Sequence, residues 1–114
     1  MAEALVVVES TGEGYYEAEI HRRKGELLLM QGGAEAAAPA DACFRRALAL
    51  ARRQGAKSHE LRAGTSLARL WREQGRLGEA LRLLAPMYDW FTEGFDTPDL
   101  QEARRLLDEL SAEI

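Results

Sequence analysis

The sequence predicts an all-α fold of tandem antiparallel helical hairpins, with about six helices. Ala, Leu, Glu, Arg and Lys supply 65 of the 114 residues, a bias typical of long or repeated helices. Val, Ile and Thr together number nine, too few to furnish a sheet. Glycines interrupt the chain at regular intervals, and between them the apolar residues follow helical spacing.

The glycine breaks divide the chain into its predicted elements. A glycine just past the last apolar position is the expected helix stop, because it enters the left-handed region without a Cβ penalty. The links are short, so neighbouring helices should be antiparallel. Helices are predicted at 2–10, 14–31, 39–54, 58–74, 77–92 and 97–112.

Each helix carries one apolar face that predicts its buried side. The third helix is expected to open at Pro39 after an Ala-rich link, and the sixth at Pro98 with Thr97 as its N-cap. Pro86 should disturb the end of the fifth helix, because it lacks an N–H. The expected buried faces are Tyr16, Ile20, Leu27 and Met30, widened by Leu28 and Leu29, in the second helix; Ala40, Phe44, Ala47, Leu48 and Ala51 in the third; Leu61, Leu67, Leu70 and Trp71 in the fourth; Leu77, Ala80, Leu81, Leu84 and Met87 in the fifth; and Leu100, Ala103, Leu106, Leu107 and Leu110 in the sixth.

An internal repeat relates the third helix to the fifth. A preceding helix contributes a small residue in each unit, Gly25 in the first and Ala68 in the second. Two helices cross closely only where small residues meet larger ones on the partner helix, so the pattern predicts close-packed hairpins. The two repeated strings are Ala40-x3-Phe44-x2-Ala47 and Ala80-x3-Leu84-x2-Met87.

These strings resemble the tetratricopeptide repeat, in which a small residue on helix A precedes Ala-x3-Phe-x2-Ala on helix B. The step from Ala68 to Ala80 has the family's spacing, and the step from Gly25 to Ala40 is about three residues longer. The resemblance implies a right-handed superhelix in a single domain, 1–114. Its parts would be a half repeat at 1–12, repeats at 15–54 and 58–92, and a C-terminal capping helix at 97–112.

Longer strings, above all Trp-Phe-Thr-Glu-Gly-Phe-Asp-Thr at 90–97, are similar to the C-terminal tails of large bacterial signalling proteins. In those proteins a class III adenylate/guanylate cyclase domain or a DNA-binding regulator domain precedes an NTPase domain and the repeat tail. The sequence contains neither the cyclase's metal-binding aspartates nor the NTPase's phosphate loop. The resemblance therefore implies a non-catalytic protein-interaction module of a bacterial signalling system.

Charge and composition limit the classes of partner that the chain is expected to bind. The formal net charge is −4, and a mildly acidic chain is a poor general binder of nucleic acids or anionic membranes. No run of about 18 apolar residues predicts a membrane span. The single cysteine, Cys43, excludes an intramolecular disulfide. We expect a cytoplasmic protein with a protein or peptide partner, no nucleic-acid partner and no membrane partner.

No pattern in the sequence predicts catalysis. His21 and His59, the two histidines, lie on different helices and have no cysteine nearby at metal-ligand spacing. Carboxylates such as Glu17 and Asp99 fit solvated helix faces or charges near helix N-termini. We therefore expect no enzymatic activity, no cofactor and no metal.

An aromatic group stands near the end of the fifth helix. It could form an exposed peptide pocket, but such groups more often pack one helix on the next, and we expect core packing here. The group is Tyr88, Trp90, Phe91 and Phe95.

The resemblance to the repeat family also implies a peptide-binding groove lined by the A helices. The arginines there could offer forked donors to a peptide carboxylate. The alternative is a plain solvated face whose ion pairs run along each helix, such as Arg69 with Glu73. The residues expected to face the groove are Glu19, Arg22, Glu26, Met30, Arg62, Thr65, Arg69 and Arg72.

A second function is open, in which the chain is a self-associating structural unit without an outside ligand. The predicted helix at 2–10 would lack a neighbour, and repeat arrays need polar caps to stay soluble. Its apolar edge could then pair with a second copy to form a homodimer. The edge residues are Leu5, Val6, Val7 and Val8.

Overall fold

The computed structural model describes residues 15–94 and 96–114, and within those ranges the chain is helical without a strand. The predicted all-α architecture of helical hairpins is therefore confirmed. The predicted helix at 2–10 lies outside the described residues. The helices are α1 (Tyr15–Gly32), α2 (Ala37–Gln54), α3 (Lys57–Glu73), α4 (Leu77–Asp89) and α5 (Pro98–Glu113), with a 3₁₀ helix at Gly33–Ala36 between α1 and α2.

Gly55 and Gly75 follow the ends of α2 and α3, as the sequence predicts. Gly33, Gly55, Gly75 and Gly94 have φ values of 60°, 67°, 78° and 78°. At the end of α2 the N–H of Ala56 donates to the carbonyl of Ala51 at 2.9 Å. The left-handed glycine thus gives a carbonyl of the last turn a hydrogen-bond donor before the chain reverses.

Two antiparallel hairpins form because small residues let their helices approach. In the first hairpin, a Cβ on Gly25 of α1 would lie 2.6 Å from the Cε1 of Phe44 on α2. In the second hairpin, a Cβ on Gly64 of α3 would overlap the sulfur of Met87 on α4. The crossing alanines Ala40, Ala47, Ala68 and Ala80 are all fully buried, as the repeat pattern predicts.

Helices α1, α3 and α5 run parallel to one another in one layer. Glu19 on α1 lies beside Arg62 on α3, and Arg22 lies beside Ser66. Because residue numbers increase in the same direction along both helices, α1 and α3 are parallel. On α5, Asp99 lies beside Arg62 and Glu109 beside Arg72. The helix predicted as a C-terminal cap is therefore the third member of this layer.

The buried face of α1 differs from the predicted one. Leu27 and Met30 were expected to face the core, but their exposed fractions are 53% and 81%. Of the α1 residues whose burial the structure describes, 17–32, Ala18 and Gly25 are buried; Tyr16, also predicted to be buried, lies outside that range. The reason is the crossing with α2: Gly25 must face Phe44, and this orientation directs Leu27 and Met30 towards solvent.

Helix boundaries also differ in two places. The expected Ala-rich link is helical, and α2 begins at Ala37, so Pro39 lies inside its first turn. A proline is tolerated there because N–H groups in a first turn have no partner within the helix. Helix α4 ends at Asp89, three residues after Pro86 and earlier than predicted. Thr97 is the N-cap residue of α5, as predicted, and its side chain makes no cap hydrogen bond.

None of the helices in the described ranges combines the length and the apolar character that crossing a membrane requires.

Candidate functional site

The parallel layer of α1, α3 and α5 bounds an open, strongly polar groove. Charged side chains from all three helices line it, with Thr65 and Ser66 of α3 between them. We use the word groove for this site below. Its charged lining residues are Glu19, Arg22, Arg23, Arg62, Arg69, Asp99 and Glu102.

Glu19 is the centre of the inner part of the groove. The Nε of Arg22 donates to its Oε2 at 3.0 Å, and the Nη1 of Arg62 lies 3.7 Å from its Oε1. The Nε of Arg62 donates to the Oδ2 of Asp99 at 2.8 Å. The side chain of Glu19 is only 12% exposed. This network joins α1, α3 and α5 and holds the Arg22 guanidinium in one orientation.

Two further arginines of α3 pair with carboxylates of α5. Arg69 pairs with Glu102, with exposed fractions of 39% and 50% for the two side chains. Arg72 pairs with Glu109 and Glu113, each at 2.8 Å. The expected pair between Arg69 and Glu73 is thus replaced by a pair across helices, because α5 brings its acidic face against α3.

The other predicted groove residues divide into two groups. Thr65 is buried, and its hydroxyl donates to the carbonyl of Leu61 at 2.7 Å, so it belongs to the floor and its donor is used within α3. Glu26 and Met30 lie one and two helical turns beyond Arg22 on α1 and do not line the groove. Of the eight predicted residues, the structure brings together Glu19, Arg22, Arg62, Thr65 and Arg69.

Four groove residues were not predicted as site residues. Asp99 was interpreted as a charge at a helix N-terminus, and Arg23, Ser66 and Glu102 were not assigned to a site. A signal for the acidic face existed, because Asp99, Glu102, Glu109 and Glu113 share one side of α5 at helical spacing. That spacing matches the arginines of α3, which recur at helical spacing as well.

The charges around Glu19 set its protonation state. Burial by itself would raise the pKa of Glu19, but hydrogen bonds from Arg22 and the charges of Arg22 and Arg62 outweigh burial and lower its pKa to about 2. Burial lowers the pKa of neighbouring His59, and the charge of Arg62 lowers it further, against the raising effect of Glu19. The inner groove therefore favours an ionised carboxylate beside a neutral imidazole.

The protein should consequently become less stable in acid. The variant Glu19→Gln measures how much of that loss comes from Glu19. A carboxylate whose pKa drops from 4.5 to about 2 on folding stabilises the folded chain above pH 4.5 and loses that effect as the pH falls towards 2. Near neutral pH we expect the free energy of unfolding of the wild type to exceed that of Glu19→Gln by about 1–2 kcal/mol, after allowance for solvent screening. Urea unfolding at a series of pH values measures the difference, which should shrink below pH 4.5. A difference that stays constant in acid would contradict the role of Glu19.

The aromatic residues near the end of α4 do not all pack in the core. Tyr88 and Phe91 are half-buried and pack against the core, whereas Trp90 is 58% exposed. The prediction of core packing is therefore wrong for Trp90, because α4 ends at Asp89 and Trp90 lies on the outer side of the turn that follows. Phe95 lies outside the described residues, as does the predicted self-association edge at residues 5–8.

In the described part of the chain, no three His, Cys, Asp or Glu side chains are grouped so that they could hold a metal ion. Comparison with known proteins adds no constraint: no protein-family model, no curated protein and no solved structure matches this chain.

Proposed function

We propose that this protein is a non-catalytic interaction module that binds a peptide or helix of a protein partner in the groove. We further propose that it serves a bacterial signalling system in the cytoplasm, because of its resemblance to the tetratricopeptide tails of such proteins. Tandem hairpins suit this role, since stacked helices present an extended surface whose side chains are held by the neighbouring helix.

One observation carries the proposal: the Arg69–Glu102 pair is exposed, whereas the Arg22–Glu19 pair below it is largely shielded. An exposed ion pair contributes only about 0–1 kcal/mol, so replacing one of its members costs little. A carboxylate of a ligand can take the place of Glu102 and accept hydrogen bonds from the Arg69 guanidinium, whose Nη2 now contacts Glu102. The shielded pair beneath would keep the groove rigid during the exchange.

The lining also indicates the kind of partner. Arg69 lines the groove, whereas Arg72, one helical turn further along α3, lies outside it. Both hold exposed acids of α5, so an acidic segment is the ligand that can exchange with those acids. Because the groove is open and spans three helices, it suits an extended or helical segment of a protein better than a small molecule.

Two substitutions that break the same ion pair test the proposal, because they should change binding in opposite directions. Arg69→Gln removes the donor and should weaken capture of the partner by about tenfold, whereas Glu102→Gln removes the internal competitor and should strengthen capture. The measurement is quantitative mass spectrometry of proteins that the immobilised variants retain from a bacterial lysate. Arg53→Ala, an exposed cation on α2, is the matched control and should retain wild-type capture.

The design separates binding from folding. Both substitutions delete one exposed pair, so they should shift the urea midpoint equally. If Arg69→Gln and Glu102→Gln change capture in the same direction, or if neither changes it, the groove is not the binding site.

A further inference from the structure

A second cleft lies on the chain and shares no residue with the groove. It is bounded by the end of α2, the start of α3 and the second half of α4. Its apolar wall comprises Leu83, Pro86, Met87, Trp90 and Phe91. We use the name Trp90 cleft for this site.

Trp90 is the largest exposed side chain of this cleft. Its ring meets Phe91 edge to face, with centroids 5.1 Å apart and an interplanar angle of 84°. The Nζ of Lys57 lies 5.2 Å from the centre of the Trp90 ring. This cation–π contact orients the indole at the cleft wall.

The rim of the Trp90 cleft is cationic on a chain whose net charge is −4. Arg52, Lys57 and Arg82 face a single carboxylate, Glu60, among the residues that line it. Glu60 is largely buried and already holds Arg52 at 3.1 Å and Lys57 at 3.5 Å. Because the contact of Arg52 uses its Nε, the outer amino groups of its guanidinium can receive a second carboxylate.

Size limits what the cleft can hold. Its volume is about 250 Å³, below the ~300–1,000 Å³ of typical small-molecule sites. The apolar wall therefore suits one bulky side chain, and the cationic rim suits carboxylates on either side of it.

We propose that the Trp90 cleft binds an acidic peptide segment through one bulky apolar side chain, which packs on Trp90 while flanking carboxylates pair with Arg52, Lys57 and Arg82. The apolar anchor supplies affinity, and the rim selects acidic partners. This inference does not depend on the function of the groove, since each site can bind without the other.

Peptide titrations of the full chain test the proposal. The probe is a short fluorescein-labelled peptide of aspartate and glutamate with one central phenylalanine, and its binding is followed by fluorescence anisotropy. Trp90→Ala and Lys57→Glu should each weaken binding by about tenfold or more. The control Arg53→Ala, outside the cleft, should bind like wild type. Added salt should weaken binding, because the rim pairs are screened.

Several results would overturn the proposal. The phenylalanine anchor is refuted if a probe with alanine in its place binds equally well. The choice of an acidic peptide is refuted if a basic peptide or a short single-stranded DNA binds more tightly. Equal losses in Arg53→Ala would show that binding is not localised to the cleft.

Iodide quenching provides the second readout, because Trp71 is only 8% exposed and Trp90 supplies the accessible fluorescence. Iodide should quench the free protein, and the acidic probe should protect it. Protection already present without probe would show that another part of this chain covers Trp90. Protection that increases with protein concentration would show that a second copy does so. Either result would overturn the assignment of the cleft to a peptide.

Discussion

Gly25→Ala is expected to destabilise the protein by about 1–3 kcal/mol, against the usual effect of this substitution in a helix. In an isolated helix alanine is favoured over glycine by roughly 1 kcal/mol. Here the new methyl group would lie 2.6 Å from a ring carbon of Phe44, and that ring is fully buried, so moving it would disturb the packed core. Urea unfolding of both proteins, followed by helical circular dichroism, measures the change.

Gly78→Ala is the matched control for this prediction. Gly78 also lies in a helix, α4, but a Cβ there would meet only the end of the Arg82 side chain at 3.4 Å, and that end can move. We expect Gly78→Ala to be neutral or stabilising by up to about 1 kcal/mol. Combining Gly25→Ala with Phe44→Leu should recover part of the loss, because the smaller side chain makes room. A stabilising Gly25→Ala would show that the hairpin is not limited by this contact.

Leu110→Ala is expected to destabilise the protein by about 2–5 kcal/mol, whereas Arg69→Gln should cost no more than about 1 kcal/mol. Leu110 is fully buried and, with Leu100 and Leu106, forms the apolar face through which α5 packs on the rest of the core. The Arg69–Glu102 pair also joins α5 to α3, but water screens it. The apolar face therefore holds α5 in place, and the ion pairs set which charges face the groove.

Urea unfolding at low and high salt distinguishes these two contributions. The loss in Leu110→Ala should be nearly independent of salt, because apolar burial is not screened. The small loss in Arg69→Gln should diminish further at high salt. If Arg69→Gln instead costs as much as Leu110→Ala, the exchange of carboxylates proposed for the groove would be too expensive, and the argument for an acidic ligand would fail.

The groove shows which parts of a site can be predicted from a helical sequence. Helical spacing placed Arg62 and Arg69 on one face of α3, and the repeat resemblance placed that face beside Glu19 and Arg22 of α1. The partner of Arg69 could not be obtained in this way. Its distance to Glu73 depends on one helix, but its distance to Glu102 depends on where α5 packs.

The sequence by itself determined the number, order and ends of the described helices to within a few residues. It also determined the buried faces of α2 to α5, because helical periodicity and the left-handed conformation of glycine act over a few neighbouring residues. The tertiary structure alone decided three things: that Leu27 and Met30 face solvent, that the groove arginines pair across helices, and that Trp90 stands exposed beside Lys57. Each of these depends on contacts between residues far apart in the chain, where the closest-packed crossing determines how each helix is rotated.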